Sequence, residues 1–145
     1  GVRLANLGYS PNLCVGRNSQ IPFEDGKFDY IFACHCCYYC DANETLIDNL
    51  KEYHRVLKPG GILIASVADK KSYIFQDADD LSDGTSRINN DPYNNRNGYR
   101  LHGFSSESQI ENYFSKYYEN FSFGHSNNNY YGIQERLFWL VCETL

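Results

Sequence analysis

The segment Ala33–Asp41, ACHCCYYCD, sets Cys34, His35, Cys36, Cys37 and Cys40 within a few residues of one another. Three chemistries fit such a cluster: a metal site, a thiol nucleophile, or the lip of a pocket. Zinc takes four ligands in a tetrahedron, normally from two separated pairs, and no second pair stands at a distance here. A nucleophilic thiol needs a lowered pKa, and only His35 is near enough to supply it. The ordinary reading is therefore small, apolar, pocket-lining thiols, with no metal site expected. His35 is the best base candidate in the chain because its ordinary pKa lies near neutrality. Its competing role is to cap the turn that follows. Tyr38 and Tyr39 either floor a pocket or pack beneath the next helix.

A second group lies downstream in Asn90–Phe104, NDPYNNRNGYRLHGF. Arg96, Tyr99, Arg100 and His102 there suit an anionic or sugar-like ligand, since guanidinium pairs well with carboxylate and phosphate. The competing reading is surface charge on an irregular loop. The acidic run Asp77–Gly84 lacks the glycine and closing glutamate of an EF-hand loop and reads as a solvated turn.

The elements that position these residues follow from periodicity. VRLANLGY reads as the end of a helix stopped at Gly8. Pro11–Gly16 reads as a short strand, PFEDGK as a turn, and FDYIFAC as a strand. Apolar residues at Leu46, Ile47, Leu50, Tyr53, Val56 and Leu57 recur at helical spacing, with Asp41 and Glu44 as a capping box and Pro59-Gly60-Gly61 as the stop. Ile62–Val67 is a nearly all-apolar run of the kind found in a central parallel strand. Strand, helix and strand make a right-handed βαβ unit. Residues 68–103 are polar, rich in Asn and Asp, and too long for an ordinary connection, which suggests a functional loop, a lid or disorder. A second helix follows, with Ser106 and Gln109 as its capping pair, and then two strands around an Asn-rich loop.

The chain has 145 residues, a formal charge of −5 and 42% hydrophobic residues, the size and balance of one α/β domain. No basic cluster offers a face to a phosphate backbone, so no nucleic acid is expected as a partner. No apolar run reaches the ~20 residues of a membrane span, so no membrane is expected. Crowded cysteines cannot easily form a disulfide framework, which implies reduced thiols and a cytoplasmic protein. The chain begins with Gly1 and contains no Met, which suggests a piece of something longer.

The order VGRNSQIPFEDGKFDYIFACH, then NLKEYHRVLKPGGILIAS, then a helix and closing hairpin resembles the class I S-adenosylmethionine-dependent methyltransferases of type 11. The resemblance spans nearly the whole chain but only the family's later two-thirds. It implies a Rossmann-like, three-layer αβα sheet in the strand order 3-2-1-4-5-7-6, missing its first strands and ending in an antiparallel hairpin. Residues 1–145 are then a single partial domain holding strands 3 to 7, with 68–103 as an insertion. It implies S-adenosylmethionine as cofactor and a small-molecule oxygen or nitrogen nucleophile as acceptor. Gly16, Arg17, Asn18 and Ser19 take the adenine side, Ala33, Cys34 and His35 face the methionine part, and Tyr38, Tyr39, Arg96, Tyr99, Arg100 and His102 the acceptor.

Two departures matter. No G-x-G occurs anywhere, and Arg17 stands where the family usually has an Asp that accepts from the adenine amine. The piece alone is thus expected to be inactive, with a strand edge open to self-association. The alternative is a non-catalytic α/β domain that completes its sheet with a partner chain. A reductase is disfavoured by the absence of G-x-G-x-x-G.

Overall fold

The computed structural model describes residues 2–145. Helix α1 (Val2–Asn6) ends as expected at Gly8, whose φ of 79° lets its N–H turn back to the Ala5 carbonyl. Residues 11–16 do not form a strand. No described strand pairs with them, and strand geometry persists only where its backbone groups find a ladder partner.

The principal sheet contains β1 (Phe28–Ala33), β3 (Leu57–Ala68), β8 (Ile133–Thr144) and β7 (Tyr118–Tyr130), hydrogen-bonded in the order β1–β3–β8–β7. β1 and β3 are parallel, and the rest are antiparallel. This is the 4-5-7-6 half of the expected strand order. Between β1 and β3 lies α2 (Leu46–Val56), completing the βαβ unit. Its cap is Thr45, not Asp41. Thr45 Oγ1 accepts from the Asp48 N–H while Asp48 accepts from the Thr45 N–H, so the box sits one turn later than the sequence suggests. Gly60 adopts φ 70°, and a Cβ on Gly61 would come within 2.8 Å of the Lys58 carbonyl, so the Pro-Gly-Gly turn needs both glycines.

Helix α3 (Glu107–Phe114) starts at Ser106, whose Oγ accepts from the Gln109 N–H at 3.2 Å. Its Ile110 and Phe114 join Leu46 and Leu50 of α2 over Leu63, Ala65 and Val67 of β3, all but fully buried. Both helices thus cover one face of the sheet. On the other face the register aligns Tyr30 and Phe32 with Ile62 and Ile64, Ile64 in turn with Val141, and Ser66 with Trp139. Tyr30 is 69% exposed and Phe32 64%. Among the described residues no helical layer covers them.

The closing hairpin is tighter than an Asn-rich loop. Asn127–Asn129 pair within β7, and the turn is Tyr131-Gly132, both at positive φ as a two-residue hairpin requires. Residues 68–103 include a 3-10 turn (Tyr73–Phe75) and the short strands β4 (Asp79–Asp80) and β5 (Ser86–Arg87). With β2 (Tyr39–Cys40) and β6 (Arg100–Leu101) they make a second sheet, in the order β2–β6–β5–β4. That sheet brings the Arg96–His102 region beside the cysteine-rich turn.

Candidate functional site

The site forms where β1 ends. After Ala33 the chain turns through His35, which holds a left-handed φ of 54°. Such a conformation is uncommon for a residue with a Cβ and is found at sites where the surroundings impose it. Here Ser66 of β3 imposes it, its Oγ accepting the His35 N–H at 2.9 Å. The turn is then fixed from two sides. Asn49 of α2 donates to the Cys37 and Tyr39 carbonyls at 2.9 and 2.7 Å. Asn18 donates to the Cys36 carbonyl at 2.8 Å and accepts from the Tyr53 hydroxyl at 2.8 Å.

Asn18 therefore spends its side chain on structure and offers only its backbone outward. Gly16 has a packing reason for its identity, because a Cβ there would meet Pro22 at 2.5 Å. Arg17 is exposed, 3.9 Å from Asp41. The Ser19 hydroxyl is buried with no hydrogen-bond partner among the described residues. The following turn is clamped by Arg55 of α2, which donates to the Phe23 and Ile21 carbonyls and pairs with Asp25 and Glu52.

Cys36, Cys37 and Cys40 are held as thiols. Burial pushes the Cys36 and Cys37 pKa values up, and that of Cys40 to about 11. Among the described residues no three His, Cys, Asp or Glu side chains group as metal ligands.

Two openings meet at His35 and Tyr39. The outer one is a groove of about 410 Å³ edged by Asn18, Asp41, Tyr99 and Arg100. Behind it lies a niche of about 20 Å³ walled by Tyr38, Tyr73, Arg96 and Glu135. A larger open depression, about 840 Å³, lies beside Gly16 and Arg17 against Glu52 and Arg55, away from His35.

Tyr38, Tyr39, Arg96, Tyr99 and Arg100 are thus brought together with His35, and His102 is not. Its imidazole is buried against Tyr113 and Phe104, with ring centroids 4.6 and 4.9 Å away, and its Nε2 has no partner among the described residues. Burial, assisted by the charge of Lys70, lowers its pKa to about 4, so it stays neutral. Nor are the arginines free. Arg96 donates to the Tyr73 hydroxyl at 2.8 Å and lies 3.9 Å from the buried Asp91 carboxylate. Arg100 pairs with Asp83 and donates to the Asp41 carbonyl at 2.9 Å.

Glu135 is a site residue the sequence reading passed over. It lies on β8, and its Oε1 is 3.9 Å from His35 Nδ1. The signal was present. Positions 133, 135, 137, 139 and 141 share a strand face and read Ile, Glu, Leu, Trp, Val, so Glu135 is a carboxylate flanked by apolar residues, with Glu143 at the far end of the same face.

Comparison with known proteins bears on the fold. Residues 3–65 match the family described as methyltransferase domain. None of the curated protein sequences matches the chain. A solved Pyrococcus horikoshii protein superposes with TM-score 0.67 at 18% identity, over 99% of this chain and 64% of its own. A Methanosarcina mazei S-adenosylmethionine-dependent methyltransferase gives 0.65 at 19%, over 99% and 77%. A Burkholderia thailandensis 1,6-didemethyltoxoflavin-N1-methyltransferase, solved with 1,6-didemethyltoxoflavin and S-adenosylhomocysteine bound, gives 0.53 at 14%, over 88% and 48%. The chain spans under two-thirds of the Pyrococcus protein and about half of the Burkholderia one. Its fold is that of the class I S-adenosylmethionine-dependent methyltransferases, and residues 3–65 carry the match to their methyltransferase domain.

Proposed function

We propose that this chain forms the acceptor side of an S-adenosylmethionine-dependent methyltransferase acting on a small-molecule oxygen or nitrogen nucleophile. One observation carries the reading: His35 stands at the carboxyl end of β1, where ligands of open α/β sheets sit, at the junction of a groove and a polar niche. The fit to the cofactor is partial. The Ser19 hydroxyl, buried without a partner, and the exposed backbone beside Gly16 and Arg17 suit the adenine side, with Ala33, Cys34 and His35 on the methionine side. The glycine-rich loop has no counterpart in this sequence. When bound, the cofactor supplies an electrophilic methyl group on sulfur. Displacement at that carbon is governed by alignment, so the chain's part is mainly to position the acceptor. Where the nucleophile carries a proton, His35 receives it, oriented by the Ser66 contact and by Glu135. Residues 1–145 act as one partial domain, with 68–103 as the insertion that frames the acceptor. Six unpaired cysteines suit the reducing cytoplasm.

The test is calorimetric titration of S-adenosylhomocysteine into this chain and into a version preceded by a strand, glycine-rich loop, helix and strand. Binding in the extended version alone supports the proposal in full. Micromolar binding to the chain itself shows the later strands suffice and removes the partial-domain element. Absence of binding in both overturns the proposal.

A second reading is favoured by the uncovered sheet face and the unpaired edge of β1. In it the chain is a non-catalytic domain completed by another chain or by its own copy. Sedimentation tests completion by its own copy: a dimer that dissociates when the upstream strands are added supports it, and a monomer in both forms removes it.

A further inference from the structure

The niche beside His35 contains one carboxylate, Glu135, that makes no hydrogen bond of its own among the described residues. Arg96 faces Asp91 and Arg100 pairs with Asp83, so the basic groups of the site are already neutralised. Arg136, adjacent in sequence to Glu135, pairs with Asp69 at 3.5 Å. The Glu135 side chain is only 23% exposed and makes no hydrogen bond among the described residues. The His35 ring stands 3.9 Å from it, and Tyr38 and Ser72 line the same niche. A half-buried carboxylate with no hydrogen bond of its own is a ready seat for a cationic donor.

The surroundings specify the kind of cation. Tyr38, Tyr39 and Tyr73 line the same niche, and aromatic faces attract ammonium groups. The free space, about 20 Å³, admits a group the size of a water molecule or an ammonium head and is too small for a guanidinium. The groove of about 410 Å³ opens onto it past His35 and Tyr39, with room for the body of a small molecule. An anionic ligand finds the opposite: a guanidinium already engaged by Asp91 and Tyr73, and a bare carboxylate across the niche.

We propose, resting on the methyltransferase reading above, that the acceptor bears an ammonium group seated against Glu135, which makes Glu135 the residue that selects amine-bearing substrates. The body of the acceptor lies in the outer groove along Tyr39 and Tyr99.

The test is an amide-proton NMR titration of the whole chain with phenethylamine and, separately, with its carboxylate counterpart hydrocinnamate. Phenethylamine is expected to move the signals of His35, Tyr39 and Glu135, and hydrocinnamate to leave them in place. Glu135→Gln is expected to weaken the amine response by about tenfold, the scale of one charge-assisted contact. Because Glu135 makes no hydrogen bond, the variant should keep the melting temperature of the parent. Glu111→Gln, at an exposed position of α3, is the control and should titrate as the parent does. An equal or stronger response to hydrocinnamate, an unchanged response in Glu135→Gln, or no response to either probe overturns the proposal and leaves a water-filled niche. S-adenosylhomocysteine titrated into the parent and extended chains separates the two claims. An amine response without cofactor binding in either keeps the ammonium site and removes the methyltransferase. Cofactor binding without an amine response does the reverse.

Discussion

The two faces of the principal sheet share strands and register but are built on opposite terms. On the covered face, Leu63, Ala65 and Val67 meet Leu46, Leu50, Ile110 and Phe114, and little of any of them is left in water. On the open face, Tyr30 and Phe32 project outward and Phe32 stacks on Trp139 at 6.1 Å. Composition does not separate the faces, since both are apolar. What separates them is whether an amphipathic helix is present to remove the surface from water. Stability should therefore reside on one side of the sheet, while the candidate site sits at its end.

The largest effect should come from the covered face. Phe114→Ala leaves a cavity among α2, α3 and β7 and should cost about 3–5 kcal/mol in urea unfolding. A cost under about 1 kcal/mol would mean that this face is not where the core lies.

Next comes acid. His102 is buried as the neutral form, with its pKa lowered from its ordinary 6.5 to about 4 by burial first and by Lys70 second, Asp83 opposing. Between those values the unfolded chain binds a proton that the native chain refuses. Stability is thus fully present above pH 6.5 and declines as pH falls toward 4, by about 3 kcal/mol from this group. His102→Gln should flatten that part of the stability profile. An unchanged slope would place the acid sensitivity elsewhere.

Arg55→Ala removes donors from the Ile21 and Phe23 carbonyls and the partners of Asp25 and Glu52. Its position is partly exposed, so about 2 kcal/mol is expected. The loss should be accompanied by faster amide exchange in residues 21–26 and not in α3. The smallest effect belongs to the open face: Phe32→Ser should change unfolding free energy by no more than about 0.5 kcal/mol. A loss comparable to that of Phe114→Ala would show that something covers Phe32 in solution.

Much of this architecture was legible in the sequence. Helical spacing located α2, an unbroken apolar run located β3, and the family resemblance implied which strand neighbours which. The strand expected at 11–16 failed because strand propensity needs a partner, and pairing is not a local property. The capping box was misplaced because both Asp41 and Thr45 carry a suitable acceptor three residues before an acid, and only the packing of Leu46 chooses between them. At the site, His35, Tyr38 and Tyr39 were readable because they sit next to one another in the chain. Glu135 was not, since its meaning depends on β8 arriving beside β1 and β3 from the far end of the sequence. The arginines were legible as residues but not as partners: Asp91 and Asp83 meet them only once residues 77–104 have folded.

The most direct measurement is a map of amide shifts when S-adenosylhomocysteine is added to the chain extended by an upstream strand, glycine-rich loop, helix and strand. The account predicts shifts at residues 16–19 and 33–35, the two segments that flank the groove at the end of β1, with α3 and the β7–β8 turn silent. Shifts confined to other surfaces, or none at all, would contradict it.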